Sequence, residues 1–247
     1  MRLAIPGGTG VVGRHVVEVA RTLGHDPVVL TRSAGVDLLA GTRIEDHLEG
    51  VDAIIDVTSV QTMSAKTSTD FFRTVTQHLV TAGRRQGVRH HVALSIIGAD
   101  AAPFSYYAGK QVQENLVLAQ PNGTVVHAAQ FYEFVDQTVE RAGLGRLCVV
   151  PTMLSQPVAA AEVAALLVDV ATQDPQGIGP SMAGPEVLHV AEMVRRLGER
   201  QGRRHLVMEA PLPGAFGRAM RDGTLLAGPG ARTGLQTFDD WLVQRVA

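Results

Sequence analysis

The sequence of 247 residues lacks several features that would place it in a specialised class of protein. It has one cysteine, Cys148, which excludes an intramolecular disulfide and a thiolate metal cluster. The net charge of −2 provides no basic field for nucleic acid. No apolar run approaches the roughly 20 residues that a membrane-spanning helix requires. We therefore expect a cytoplasmic protein that acts on a small molecule, with neither a nucleic-acid nor a membrane partner.

A metal-binding pattern is missing as well. His90 and His91 are adjacent on a predicted strand, so their side chains point to opposite faces and cannot hold one ion. The other histidines show no ligand spacing, and we expect no metal site. The sequence leaves the oligomeric state open, with a homodimer as one arrangement.

Short apolar runs alternate with longer amphipathic segments over residues 1–150, which is typical of a parallel sheet flanked by helices. The runs are apolar throughout, as expected for strands with both faces covered. The predicted fold class is α/β, a doubly wound, mostly parallel Rossmann sheet. The predicted strands are residues 3–6, 28–31, 53–57, 91–96, 124–129 and 146–150, and the helices are 11–23, 71–85, 105–118 and 131–141.

The regular alternation of apolar runs and amphipathic segments ends after Pro151. A helix at 160–172 precedes a glycine- and proline-rich segment at 174–185, which predicts a loop. A helix at 190–201, a strand at 205–209 and a helix at 238–245 complete the chain. We expect residues 1–150 to form the nucleotide-binding domain. Residues 151–247 would form a small α/β substrate lobe at the carboxyl edge of the sheet, the two making one integrated domain.

A glycine-rich loop directly follows the first predicted strand and opens the first helix. It reads Gly7-Gly8-Thr9-Gly10-Val11-Val12-Gly13 and satisfies both G-x-x-G-x-x-G and G-x-G-x-x-G. Without Cβ atoms the backbone can turn tightly and approach a pyrophosphate, and the N–H groups at the helix start face the anion. The strand before it and the helix after it distinguish this loop from an ordinary turn. The loop therefore predicts a dinucleotide site.

The residues after the second strand indicate which dinucleotide binds. An acidic residue there would favour NAD, because it accepts hydrogen bonds from the ribose hydroxyls. This chain has Thr31, Arg32 and Ser33 instead, about 20 residues past the loop. A guanidinium pairs with a 2′-phosphate, so we predict NADP(H) rather than NAD(H); a solvated surface arginine is the alternative. The end of the third strand is predicted to line the adenosine side of the cofactor, and it consists of Asp56, Val57 and Thr58. A local turn is the alternative role for the Asp56 carboxylate.

Tyr106 and Lys110 point to chemistry beyond binding. They are four residues apart, so on the predicted helix they share a face. A free tyrosine has a pKa of about 10, and a nearby ammonium lowers that pKa by stabilising the phenolate. The pair therefore predicts an acid–base group. The alternative is a packing tyrosine beside a solvated lysine.

With these residues the chain resembles the short-chain dehydrogenase/reductase superfamily, and it is most similar to the atypical, NmrA-like branch. The resemblance spans nearly the whole chain. It includes the glycine loop and residues 89–95, 106–110, 156–158 and 237–242.

The resemblance implies a role for each residue of the site. Tyr106 would be the proton donor, and Ser95 would donate a hydrogen bond to the substrate carbonyl. Lys110 would lower the pKa of Tyr106 and bind the ribose of the cofactor. Gln130 and Phe131 would lie beside the nicotinamide.

Further residues are candidates for the substrate pocket by their place in the pattern. They follow the fifth strand or belong to the C-terminal lobe: Tyr132, Phe134, Met153 and Gln156. For the aromatic residues after the fifth strand, packing in the core is the alternative. The leading hypothesis is an NADP(H)-dependent oxidoreductase that reduces a carbonyl, quinone or enone in a fairly apolar pocket. The alternatives are a non-catalytic NADP(H)-binding redox sensor, and an isomerase or epimerase that retains its cofactor.

Overall fold

The computed structural model describes residues 1–144, 147–203 and 206–246, which form two compact units. The first unit is Met1–His127 with Ala161–Pro180, and the second is Ala128–Ala160 with Ser181–Ala247. This division differs from the one expected at residue 150, because the chain enters the second unit at Ala128 and returns to the first at Ala161.

Strands and helices alternate along the described residues. The strands are β1 (Arg2–Pro6), β2 (Asp26–Leu30), β3 (Ala53–Asp56), β4 (His90–Ile96), β5 (Gly123–Ala128), β6 (Gly143–Leu144), β7 (Leu147–Pro151), β8 (Leu154–Ser155), β9 (Gly177–Ala183), β10 (Leu188–His189), β11 (Leu206–Ala210) and β12 (Arg232–Thr233). The helices are α1 (Val11–Thr22), α2 (Ile44–Leu48), α3 (Ala65–Arg85), α4 (Tyr106–Leu118), α5 (Phe134–Ala142), α6 (Ala160–Ala171), α7 (Val190–Arg200), α8 (Gly214–Arg221) and α9 (Phe238–Val246).

The sheet of the first unit has the strand order β9-β5-β4-β3-β1-β2. β1 pairs in parallel with β2 on one side, ending at Pro6 opposite Leu30, and with β3 on the other. β3 in turn pairs in parallel with β4. The order therefore reverses between β1 and β3, which makes their carboxyl ends the topological switch point where open α/β sheets bind ligands. The predicted Rossmann class is confirmed.

The strands at the centre of this sheet are buried along nearly their whole length because both of their faces are covered. Every residue of β3 is buried, and so are four of the five residues of β1. On one face Ala4 and Ile54 pack in a cluster with Val75 and Leu79 of α3, whose spacing of four residues puts both on one side of that helix.

The prediction of a loop at residues 174–185 is wrong, because Gly177–Ala183 forms β9, next to β5. Glycine is present there for packing. A Cβ on Gly179 would lie 2.8 Å from Cγ2 of Thr124, so a larger residue would push the two strands apart.

The apolar run predicted as a sixth strand of the Rossmann sheet belongs to another sheet. It forms β7 in the second unit, in a sheet of order β11-β7-β6. The second unit also pairs β8 with β10, and β12 with Met182 and Ala183 of β9. Arg146 and His205, the first residues of the predicted strands 146–150 and 205–209, lie outside the described residues.

Candidate functional site

The glycine loop lies at the switch point of the first unit. Gly7 has a φ of 82°, and a Cβ there would lie 2.6 Å from the carbonyl oxygen of Val57, at the end of β3. A Cβ on Gly13 would lie 2.2 Å from the carbonyl oxygen of Gly7. Only glycine allows these approaches, since both are between backbones that cannot move aside separately.

The start of α1 fits an anion. Gly10 is the N-cap residue, no side chain caps the helix, and its first turn contains no acidic residue. The first N–H groups of an α-helix have no acceptor within the helix, and the helix dipole makes this end partly positive. Thr9 and Gly10 are exposed, so a ligand can reach these amides. The residues present therefore suit a pyrophosphate.

Thr31, Arg32 and Ser33 lie beside the glycine loop, because Leu30 before them pairs with Pro6 before the loop. Thr31 caps a short 3-10 helix, Arg32–Ala34, by accepting a hydrogen bond from the Ala34 N–H at 3.2 Å. The hydroxyl oxygens of Thr31 and Ser33 are 2.9 Å apart. The side chain of Arg32 is exposed at the sheet edge.

Asp56 forms a local turn, which was the alternative to its lining the adenosine side. Its fully buried carboxylate accepts hydrogen bonds from the Thr58 N–H at 3.0 Å and the Thr58 hydroxyl at 2.7 Å. The second carboxylate oxygen accepts one from Nε2 of Gln113 at 2.8 Å. Val57 and Thr58 are buried with it. The Asp56 carboxylate is thus occupied within the protein.

Lys110 carries a buried ammonium. Nζ donates to the carbonyl oxygen of Leu94 at 2.8 Å and to Oε1 of Gln113 at 2.9 Å, and it lies 4.4 Å from the ring centroid of Phe72. Burial lowers the pKa of Lys110 to about 8, against the attraction of the Asp56 and Glu114 carboxylates. The hydrogen-bonded oxygens and the two carboxylates therefore offset only part of the cost of burying the Lys110 charge.

A change of Lys110 to methionine is expected to flatten the rise of stability with pH. Because the folded-state pKa of about 8 lies below the ordinary 10.5, the unfolded chain binds more protons between these values, and stability rises with pH across that window. The full rise corresponds to about 3 kcal/mol for a shift of this size. Urea unfolding of wild type and Lys110→Met at several pH values from 7 to 10.5 measures it.

The matched control is Lys66→Met, which removes an exposed lysine paired with Asp70 on α3. Because Asp70 raises the pKa of Lys66 rather than lowering it, the unfolding free energy of this variant should rise with pH at least as steeply as that of the wild type. Tyr106, Tyr107 and Cys148 are common to all three proteins, so their titration cancels in the comparison. A constant difference between Lys110→Met and wild type over this range would contradict the prediction.

Tyr106 packs on the same aromatic ring as Lys110. Its ring meets Phe72 edge-on, with centroids 5.6 Å apart, which agrees with the shared helix face predicted from the spacing. Its phenol oxygen is 3.0 Å from the hydroxyl of Ser59. Burial raises the pKa of Tyr106 to about 12, and the Ser59 hydrogen bond opposes that rise. The pKa of Tyr106 thus lies above its usual value rather than below it, and the Lys110 ammonium is held by the carbonyl oxygen of Leu94 and the amide oxygen of Gln113.

Ser95 is placed differently from what the resemblance implies. It is 1% exposed, and its hydroxyl donates to Oε1 of Glu114. Nε2 of His127 lies 3.2 Å from the same oxygen. The proton of Ser95 is therefore held by a buried carboxylate rather than available to a substrate carbonyl.

Four residues that the structure brings to this region were not predicted from the sequence: Ser59, Gln113, Glu114 and His127. Gln113 and Glu114 had a usable signal, since they lie three and four residues after Lys110 on the same helix. The contacts of Ser59 and His127 join different elements, so spacing along the chain could not reveal them.

Tyr132 and Met153, two of the residues predicted to line the substrate, are core residues of the second unit, whereas Gln156 is half-buried. Tyr132 is fully buried, lies 5.4 Å from Phe238 between ring centroids, and donates its hydroxyl to the Gln236 carbonyl oxygen at 2.7 Å. Met153 is 2% exposed. Gln156 donates through Nε2 to the carbonyl oxygen of Gly184 at 3.0 Å. The other predicted residues are half-buried: Gln130, Phe131 and Phe134.

The described residues contain no group of three or more histidine, cysteine, aspartate or glutamate side chains that could hold a metal ion. Among the helices of the described residues, none is long and apolar enough to cross a membrane.

The first unit thus combines a glycine loop at a switch point with a tyrosine and a lysine on α4. Residues 3–115 match the model of the NAD dependent epimerase/dehydratase family. The match to the epimerase/dehydratase family contains the glycine loop, Arg32, Asp56, Tyr106 and Lys110, and it covers less than half of the chain. A curated relative is Photosystem II assembly factor Ycf39 of Synechocystis sp. (strain ATCC 27184 / PCC 6803 / Kazusa), 28% identical over 117 residues. That alignment takes in 42% of this chain and only 36% of the relative.

Solved structures resemble the chain over its whole length. MoeE5 in complex with UDP-glucose and NAD has a TM-score of 0.77 at 16% identity, covering 100% of this chain and 97% of that one. UDP-N-acetylglucosamine 4-epimerase from Bacillus cereus has a TM-score of 0.72 at 18% identity, covering 100% and 95%. A short-chain dehydrogenase/reductase superfamily protein from Agrobacterium tumefaciens with bound NAD has a TM-score of 0.72 at 16% identity, covering 100% and 96%. At these identities the likeness shows the fold alone.

Proposed function

We propose that this protein binds a nicotinamide dinucleotide at the glycine loop and reduces a carbonyl, quinone or enone group of a fairly apolar small molecule. The observation that carries the proposal is the placement of Tyr106 and Lys110 on α4, in the same unit as an uncapped helix start at the switch point. Binding and proton donation would then take place in one Rossmann unit.

Each residue has a defined task in this reaction. The amides at the start of α1 hold the pyrophosphate, and the buried Lys110 ammonium fixes α4 to β4 through the Leu94 carbonyl oxygen. When bound, the reduced nicotinamide supplies hydride. Tyr106 donates its phenol proton to the substrate oxygen as negative charge develops there. A pKa of about 12 keeps this phenol protonated at neutral pH, which suits a proton donor better than a base.

The proposal includes a preference for NADP(H), supported by the exposed Arg32 beside the loop. NAD is the direct competitor, since MoeE5 and the Agrobacterium tumefaciens protein are described with NAD bound. Arg32→Ala is expected to weaken NADPH binding about 10- to 100-fold, as loss of a charge-assisted contact to phosphate does, and to leave NADH binding nearly unchanged. Fluorescence titration with both cofactors measures this.

Arg21→Ala is the matched control, because it removes an exposed arginine at the opposite end of α1. It should bind both cofactors as the wild type does. An equal loss of NADPH and NADH affinity in Arg32→Ala, or no loss of either, would show that Arg32 does not select the cofactor.

A second candidate is an epimerase or dehydratase that retains its cofactor. The match to the epimerase/dehydratase family over residues 3–115 favours it, as does the likeness to UDP-N-acetylglucosamine 4-epimerase. Such an enzyme would convert its substrate, here a nucleotide sugar, with no net change in nicotinamide absorbance.

One experiment separates these functions. The protein is titrated with NAD, NADH, NADP and NADPH, then assayed with quinones, cyclic ketones and nucleotide sugars. Loss of nicotinamide absorbance with a carbonyl compound supports the reductase, and product at constant absorbance supports the epimerase or dehydratase. Tight binding without turnover would indicate a redox sensor of the NmrA-like kind. No binding of any of the four nucleotides at millimolar concentration would overturn the proposal.

A further inference from the structure

A hydroxyl outside the predicted site lies at the phenol of Tyr106. Oγ of Ser59 is 3.0 Å from Oη of Tyr106, and either atom can donate. Ser59 follows the turn at the end of β3, where the buried Asp56 carboxylate binds the N–H and the hydroxyl of Thr58. The backbone that carries Ser59 is therefore held in place by a buried, fully bonded turn.

Ser59 and Ser95 differ in their access to water. Ser59 is exposed and Tyr106 is half-buried, so the Ser59 hydroxyl has the phenol on one side and solvent on the other. Ser95 is buried, and its proton is held by Glu114. Of these two hydroxyls, Ser59 is the one placed to exchange a proton between the phenol and the solvent.

We propose that Ser59 is a proton-relay residue that returns a proton from solvent to Tyr106 in each turnover, an inference that rests on the proposed function. The Oη–H bond of Tyr106 breaks when its proton passes to the substrate oxygen. Oη then takes the proton of the Ser59 hydroxyl while Oγ takes one from water. One solvent proton is consumed for each product hydroxyl, and the relay itself moves no electrons between groups.

The relay is tested by turnover of Ser59→Ala with the best carbonyl substrate of the wild type. We expect kcat to fall about 10- to 100-fold, while KM and the cofactor Kd stay close to their wild-type values. Ser59→Thr keeps the hydroxyl and should retain most of kcat. The matched control is Thr22→Ala, which removes an exposed hydroxyl that donates to the Glu18 carbonyl oxygen on α1, and it should turn over like the wild type.

A titration without cofactor provides an independent readout. A fluorinated tyrosine at position 106 is more acidic, which brings its titration into a measurable range. Because the Ser59 hydrogen bond stabilises the phenolate, Ser59→Ala should raise the pKa of this residue by about one unit. The charges of Asp56 and Lys110 near the phenol are the same in both proteins.

The outcomes separate the relay from the proposed function. If the wild type turns over no carbonyl compound, the proposed function fails and the relay fails with it. If the wild type turns over but Ser59→Ala keeps its kcat, or the pKa at position 106 does not move, the relay alone is overturned. Equal loss of kcat in Ser59→Thr and Ser59→Ala would show a structural role and overturn it as well.

Discussion

Gly13→Ala is expected to abolish dinucleotide binding. The new Cβ would lie 2.2 Å from the Gly7 carbonyl oxygen and 2.6 Å from Cα of Gly8, and both atoms belong to the backbone. The loop must therefore move away from α1, which displaces the amides proposed to hold the pyrophosphate. We expect affinity for the preferred cofactor to fall at least about 100-fold, as loss of several charge-assisted hydrogen bonds implies.

The same clash affects folding. Overpacking of this kind costs about 1–3 kcal/mol, so the unfolding free energy of Gly13→Ala should fall measurably while the chain still folds. Gly228→Ala is the matched control, because a Cβ there would meet no atom within 4 Å. It should retain both stability and binding. Wild-type affinity in a folded Gly13→Ala protein would show that the cofactor does not bind at this loop.

Tyr106→Phe is expected to lower kcat by about 100- to 10,000-fold, the usual effect of removing a general acid. The phenylalanine ring keeps the edge-on contact with Phe72, so the packing of α4 on α3 should be unchanged. The phenol is needed only when the substrate oxygen becomes charged, so cofactor affinity should stay near its wild-type value. Single-turnover absorbance and equilibrium titration measure the two effects separately.

Tyr107→Phe is the control for the loss of a buried hydroxyl. Tyr107 is the next residue of α4 and is buried, but it takes no part in the proposed reaction. We expect its kcat to remain within about threefold of the wild type, because side chains outside the reaction contribute little to transition-state stabilisation. A similar kcat in Tyr106→Phe and wild type would eliminate Tyr106 as proton donor, while cofactor binding would be unaffected by that result.

The Rossmann class could be predicted from the sequence because the signals are local. The apolar runs that became β1, β3, β4 and β5 were each recognisable alone, and the glycine loop lies between β1 and α1 as its spacing predicts. The errors concern assignments to a sheet. β7 has the composition of a Rossmann strand but pairs with β6 and β11, and β9 pairs with β5 despite its glycines. Strand pairing depends on partners distant in sequence, which hydrophobic patterning does not encode.

The candidate site was predictable to a similar extent. The shared face of Tyr106 and Lys110 follows from helical geometry, and both residues contact Phe72 in the structure. The hydrogen-bond partners of their polar atoms did not follow from helical geometry. The Lys110 ammonium binds the Leu94 carbonyl oxygen, the Tyr106 phenol meets Ser59, and the Ser95 hydroxyl donates to Glu114.

By itself the sequence determined the fold class, the position of the glycine loop and the helix that carries the tyrosine and the lysine. Each of these depends on residues close together in the chain, where backbone geometry leaves few alternatives. Only the tertiary structure decided which hydroxyl meets the phenol, how far burial shifts the pKa values of Tyr106 and Lys110, and which aromatic residues are core. Those properties depend on desolvation and on partners brought together from β3, β4 and α4, and they exist only once the chain has folded.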